Sequence, residues 1–163
     1  MKNIKNYNLK SISGFTLIEL LIVIAILTVL FALTIVAVNP SRQASQANNT
    51  QRRSDINALL NGVYQFTVDN NGTFPAFINS TSSQQIGSAT TSCNFSCSGT
   101  TTVAACVNLY TNLVPTYLTD IPKDPQQTSS TTGHYVITRS SASNRITITA
   151  CDAELSQTIT VSR

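Results

Sequence analysis

Charge is what this chain has least of. Acidic and basic residues make up 10% of its 163 positions, against roughly a quarter in ordinary soluble domains. So few charges among so many Ser, Thr, Asn and Gln side chains suggest a surface exposed outside the cell. The formal net charge of +3 does not signal a nucleic-acid surface. Lys2, Lys5 and Lys10 all precede the first apolar block, and taking these three from the ten basic residues leaves seven against seven acidic ones. No basic stripe remains to follow a phosphate backbone, so no direct nucleic-acid partner is expected. Catalytic signatures are equally scarce. His134 is the single histidine, and its place at a strand start suits a surface or turn role better than a general base. The sequence contains no G-x-S-x-G elbow, no Gly-rich phosphate loop and no metal-binding His pair. The chain reads as non-enzymatic and free of cofactors.

Cysteine is sparse but even in number: Cys93, Cys97, Cys106 and Cys151. In an exported, Ser/Thr-rich chain this reads as two disulfides with three possible connectivities. The rival is a metal site. Gaps of three, eight and forty-four residues lack the close paired thiolates of a zinc ribbon, and one histidine supplies no second knuckle. Pairing Cys93 with Cys97 and Cys106 with Cys151 is preferred, because it ties the loop to the late strand.

What the chain does have is one long apolar block. Phe15 to Val38 is 24 residues with Glu19 as its only charge. At 1.5 Å per residue a helix of this length spans roughly 36 Å, enough to cross a hydrocarbon core of about 30 Å. A cleaved secretory signal would have a shorter apolar region closed by small residues, so a retained membrane helix is expected. The three lysines ahead of it hold the N-terminus in the cytoplasm by the positive-inside rule, although Arg42, Arg52 and Arg53 beyond it pull the other way. An acid at the centre of a membrane helix costs roughly 2.5–3.5 kcal/mol, which makes Glu19 a functional candidate. The plainer reading has Glu19 near the cytoplasmic end, snorkelling to the interface and suited to the positive end of the helix dipole.

The local sequence decides between them. Gly14-Phe15-Thr16-Leu17-Ile18-Glu19 closely resembles the processing site of type IV prepilins and pseudopilins, and the resemblance runs from about Ser13 to Val38. It implies that prepilin peptidase cuts between Gly14 and Phe15 on the cytoplasmic face. The new Phe15 amine is then methylated and the basic leader is lost. It also implies that Glu19 of one subunit pairs with the Phe15 amine of a neighbour, a register device for assembly, since a mismatch would leave two charges unpaired in lipid.

Beyond the block, Asn39-Pro40-Ser41 predicts a kink or short break. Helical signals resume to about Val68, with Ile56, Leu59, Leu60, Val63 and Phe66 or Thr67 forming an apolar stripe. Ser41 to Ser54 is more polar, and in related filaments this region is a spacer, sometimes unwound. Asn70-Asn71-Gly72 followed by Pro75 ends the helix. Ile78 to Thr102 lacks periodicity and reads as a loop, functional, mobile or pinned by disulfides. Asn71-Gly72-Thr73, Asn79-Ser80-Thr81 and Asn94-Phe95-Ser96 fit the glycosylation acceptor pattern, but such triplets arise readily by chance in this composition. Val103 to Leu118 predicts a short helix or turn-rich connection ending near Pro115.

Ile121-Pro122-Lys123-Asp124-Pro125 resembles the loop before the sheet in pseudopilins and minimal pilins; in major pseudopilins a Trp-Gly often follows and nearby oxygens bind calcium. Here Gln126-Gln127 stands in place of the usual Trp-Gly. Asp120, Asp124 and Asp152 lack the dense acidic spacing of a calcium loop, and the two prolines read as stiffeners of a turn. Tyr135–Thr138 follows Gly133, Arg145–Ala150 and Gln157–Val161 alternate, and the three read as strands of an antiparallel meander.

The expected fold class is therefore α+β, a long N-terminal helix whose first half spans the membrane, packed on a small antiparallel sheet. Residues 1–14 form the leader, 15–38 the transmembrane and assembly helix, 39–68 its exported amphipathic half, and 69–163 the globular head. The expected partners are prepilin peptidase, copies of the chain and related pilins, and the cytoplasmic membrane before assembly. Three functions compete: a type IV pilus-like filament subunit, a pseudopilin of a type II secretion or DNA-uptake system, and a monomeric membrane-tethered adhesive or binding module.

Overall fold

The computed structural model describes residues 14–76, 78, 82–87, 93, 97, 105–127 and 132–163. The three N-terminal lysines, most of the Ile78–Thr102 loop and the triplets at Asn79 and Asn94 lie outside the described residues. The chain divides into two units, residues 1–40 and 41–163.

The described part of the first unit is dominated by one helix, α1 (Leu17–Val38), in which no side chain is buried. Its residue types leave it no polar face to turn to water. Thr28 and Thr34 donate their hydroxyls to the carbonyls of Ala25 and Phe31 at 2.8 and 2.9 Å, so neither brings an unmet donor into an apolar surrounding. The helix stops at Asn39, whose backbone is left-handed at φ 41°. Pro40 then opens α2 (Pro40–Asp69), a first-turn position where its missing N–H costs nothing. The expected break therefore occupies a single residue.

In the second unit α2 lies on a five-stranded sheet. The strands are β1 (Gln84–Gly87), β2 (Ala105–Asn108), β3 (Thr132–Arg139), β4 (Ile146–Ala150) and β5 (Ile159–Ser162), with one helical turn, α3 (Tyr110–Leu113), after β2. Their order across the sheet is β2-β1-β3-β4-β5. All pairings are antiparallel except β1 with β2, which run parallel. The α+β class and the three late strands are as expected. Two strands correct the sequence reading. β1 lies inside the stretch taken for a loop, and β2 precedes the short helix expected between Val103 and Leu118. Four residues are too few to display a period, so Gln84-Gln85-Ile86-Gly87 carries no legible strand signal.

The core forms where the helical period of α2 meets the period of two in the strands. Ile56, Leu59, Leu60 and Val63 pack with Ile86, Val107, Tyr135, Ile137, Ile146, Ile148 and Ile159. Burial of such side chains stabilises by about 1.5–3 kcal/mol each. β4 alternates as its sequence predicts, with Ile146, Ile148 and Ala150 inward and Thr147 and Thr149 half-buried. Val136 points to the other face of the sheet, against Cys97 and Cys151.

The disulfides are Cys93–Cys106 and Cys97–Cys151, with Cα separations of 5.3 and 4.7 Å. This overturns the preferred pairing. Cys106 lies in β2 and Cys151 directly follows β4, with β1 and β3 between them in the sheet. Three strand spacings amount to roughly 14 Å, about twice the Cα separation a disulfide tolerates. Cys106 and Cys151 instead each take a partner from the segment between β1 and β2.

A bulge marks the start of β3, where the register to β1 slips between Ile86 and Gly87. His134 takes φ 57° there. A Cβ on Gly133 would stand 2.9 Å from the Pro122 carbonyl oxygen, so only glycine lets the 121–125 loop approach this closely.

Leu59 has no exposed surface. Its replacement by Ala should lower unfolding stability by about 2–5 kcal/mol, readable by denaturant titration of the detergent-solubilised chain. A loss below 1 kcal/mol would mean that α2 is not held on the sheet as described.

Candidate functional site

The first unit presents one polar constellation at the head of an apolar helix. Gly14 has nothing within 4 Å of where a Cβ would stand, and Phe15 is 92% exposed. Thr16 caps α1, and its Oγ1 accepts from the Glu19 backbone N–H at 3.2 Å. In return Glu19 Oε2 accepts from the Thr16 backbone N–H and from the Thr16 hydroxyl, both at 2.9 Å. This is a reciprocal capping box, which meets two amides that the helix itself cannot satisfy. Among the described residues Glu19 Oε1 has no hydrogen-bond partner. Gly14 and Phe15 thus directly precede the helix cap, and Glu19 lies in the first turn of α1. Thr16 joins them, and its role was legible in the T-x-x-E spacing but was not drawn from it.

The second unit holds a different cluster, centred on a residue the sequence reading treated only as a flanking charge. Arg52 has no exposed surface. Its Nε and Nη2 grip both carboxylate oxygens of Asp124 at 2.6 and 3.0 Å. Nη1 donates to Glu154 Oε2 at 2.8 Å and to Asn49 Oδ1 at 2.9 Å, and Nη2 also reaches Gln126 Oε1 at 3.1 Å. Five bonds match the five donors of a guanidinium. Glu154 is further held by Ser45 at 2.9 Å and Asn48 at 3.0 Å. Asn49 clips its backbone from both sides, donating to the Glu154 carbonyl at 2.9 Å and accepting from its N–H at 3.0 Å. Ser45, Asn48, Asn49 and Arg52 recur at steps of three and four, so the polar half of α2 docks along the same face as its apolar stripe. The Ser41–Ser54 stretch, expected as a spacer, is helical and bonded to the head.

The loop that receives it, between β4 and β5, turns through Leu155 and Ser156, both left-handed at φ 57° and 54°. Few side chains accept that conformation, and the bonds to Glu154 hold it. Hydrogen bonds from Asn48, Arg52 and Ser45 keep the Glu154 carboxyl below its ordinary value of 4.5. Next along α2, Asp55 accepts from the Tyr135 hydroxyl and from Gln51, both at 2.7 Å. Burial pushes the Asp55 carboxyl up, against the pull of those two donors. Burial, followed by the bond to Asp55, likewise raises the Tyr135 phenol. Every buried side-chain polar atom among the described residues has a partner.

The three aspartates weighed as calcium ligands are not brought together. Asp124 belongs to Arg52. Asp152 contacts His134 Nδ1 at 2.6 Å and accepts from Gln127 at 3.1 Å. Asp120 caps the neighbouring Ile121 amide at 2.8 Å. His134 therefore stands at a bulge beside a carboxylate, and the four cysteines are all in disulfides.

Residues 9–37 match the family model of the prokaryotic N-terminal methylation motif. The chain carries that prepilin-type motif at the entrance to an apolar helix long enough to cross a membrane, consistent with a type IV pilin-like protein. The match covers the helix and its approach, and it stops short of the head. No curated protein and no solved structure matches the chain.

Removing Arg52 alone would leave Asp124 buried without its partner, a change that costs about 3–5 kcal/mol in comparable sites. Arg52→Met should show a loss of that size by denaturant titration, and the double variant with Asp124→Leu should regain part of it. Glu154 also predicts a pH signature. Its folded carboxyl ionises below the unfolded one, so its contribution is full above pH 4.5 and disappears as pH falls through the lower folded value. The stability difference between the parent and Glu154→Gln should shrink in that acid window; a difference independent of pH would refute the assignment.

Proposed function

We propose that this chain is a structural subunit of a type IV pilus-like filament, assembled through α1 after removal of its leader. The observation that carries the reading is the match to the methylation motif over residues 9–37, placed where Gly14 and Phe15 precede a helix with every side chain exposed. Twenty-two residues of unshielded apolar surface need lipid or other copies of the helix around them. On this reading residues 1–14 are the leader, 15–38 the membrane and assembly helix, 39–68 its exported half and 69–163 the head. The N-terminus faces the cytoplasm, and prepilin peptidase frees the Phe15 amine for methylation.

Glu19 then has two tasks. Oε2 closes the capping box on its own helix, and Oε1 is left for the Phe15 amine of a neighbour. In a low dielectric that pairing offsets part of the burial cost of both charges, and only one axial register supplies it. The leader keeps the amine in a peptide bond, so processing precedes assembly.

The loop Ile121–Pro125, which resembles that of pseudopilins and minimal pilins, is compatible with a second reading in which the same chemistry builds a short pseudopilus of a secretion or DNA-uptake machine. Abundance and filament length separate the two.

Intact-mass and N-terminal peptide measurements on the protein from its own host should find a chain beginning at N-methylated Phe15. An intact Met1, or cleavage beyond Val38, would overturn the proposal. Glu19→Ala should leave the processed subunit in the membrane while filaments counted by electron microscopy fall at least tenfold. Undiminished filaments would remove the role given to Glu19, and undiminished function without filaments would favour a tethered binding module.

A further inference from the structure

α2 ends in a run of six consecutive exposed residues, 68–73, and within it lies Asn71-Gly72-Thr73. This acceptor-type triplet is the one that falls wholly within the described residues. Its two asparagine neighbours behave differently. Asn70 is committed, since its Nδ2 donates to the Phe66 carbonyl at 2.8 Å. The Asn71 side-chain amide has no partner in the described fold, and neither does the Thr73 hydroxyl.

The backbone accounts for part of this. Asn71 stands at φ 54° and Gly72 at φ 83°, a left-handed pair that terminates the helix. That need is met by main-chain atoms and the Asn70 side chain, so it leaves the two polar side chains of the triplet unused. The Gly72 N–H is also taken, donating to the Thr67 carbonyl at 2.8 Å. In a flexible Asn-Gly pair this nitrogen attacks the side-chain carbonyl carbon and expels ammonia, deamidating the residue through a succinimide. Its bond to Thr67 works against that attack here. Beside it runs an open trough of about 420 Å³ lined by Asn71, Thr73, Phe74, Pro75 and Asn112 among others. The trough gives room for a bulky substituent against an aromatic wall.

We propose that Asn71 is an N-glycosylation site, modified after export by a transferase that uses an oligosaccharide carried on a polyprenyl pyrophosphate. The acceptor pattern requires Asn and, two residues on, a hydroxyl, and this turn presents both unbonded and exposed. In the reaction the Asn71 Nδ2 forms a bond to the anomeric carbon of the sugar as the bond from that carbon to the pyrophosphate oxygen breaks. The lipid pyrophosphate leaves with the electron pair, and one amide proton passes to a base of the transferase. The site rests on the filament reading only in that the head must lie outside the cytoplasm.

Peptide mass spectrometry of the protein purified from its own host tests this. The peptide containing residues 68–76 should carry a saccharide mass on Asn71 in most copies. The added mass should vanish in Asn71→Gln and in Thr73→Val, and survive in Asn70→Gln and Thr73→Ser. Thr73→Val lies outside the left-handed pair, so its result does not depend on the turn tolerating a new residue. A bare peptide in the parent, or saccharide found only on hydroxyls or on Asn70, overturns the proposal. The N-terminus read in the same experiment keeps the two readings apart. A chain starting at Phe15 with bare Asn71 defeats the glycosylation site alone, and an intact Met1 with a modified Asn71 defeats the filament reading alone.

Discussion

A guanidinium with no solvent contact is tolerated only where every donor is met and its charge is answered, and Arg52 imposes that demand on the head. Its acceptors come from three places: Asn49 on its own helix, Asp124 and Gln126 in the loop before β3, and Glu154 in the turn between β4 and β5. Sliding α2 by one turn, about 5.4 Å, would strand both Asp124 and the arginine. The ion cluster thus sets the register in which the apolar stripe Ile56–Val63 meets the sheet. Asp55 and Tyr135 continue the same seam between helix and β3. Burial of ions is weak evidence for net stability, and its effect here is to select one docking among several that the apolar contacts alone would allow.

The two units suit different solvents. The head satisfies its buried polar atoms from within. α1 does the opposite, with an all-apolar exterior whose few polar groups are turned back on its own backbone. Thr28 and Thr34 bond to preceding carbonyls, and the capping box closes two amides at the start of the helix. A helix so arranged can enter hydrocarbon with the backbone groups of its interior paired. Glu19 is the single ionisable group it takes along, and half of that carboxylate is already used for capping.

The disulfides add covalent ties within the head, joining Cys93 to Cys106 in β2 and Cys97 to Cys151 at the end of β4. The Cys97–Cys151 bridge covers Val136 on the sheet face turned away from α2. Short strands with little hydrophobic periodicity, such as β1 and β2, gain their place from this attachment and from pairing with β3 and each other, more than from intrinsic preference.

The sequence by itself determined the features whose signal is local. The apolar block, the T-x-x-E cap, the helical stripe from Ile56, the Asn-Gly stop, the apolar run of β3 and the alternation in β4 and β5 are each written within a few neighbouring residues, which therefore announce them. The motif from Gly14 to Glu19 is legible for the same reason. The tertiary structure alone decided which cysteines pair, where β1 and β2 run, and why Arg52 is buried in a stretch that reads as a polar spacer. Each of these depends on residues 13 to 102 positions apart in the chain. No local period encodes a partner that far away, and a charge that looks solvated in sequence is solvated or buried according to what the fold brings against it.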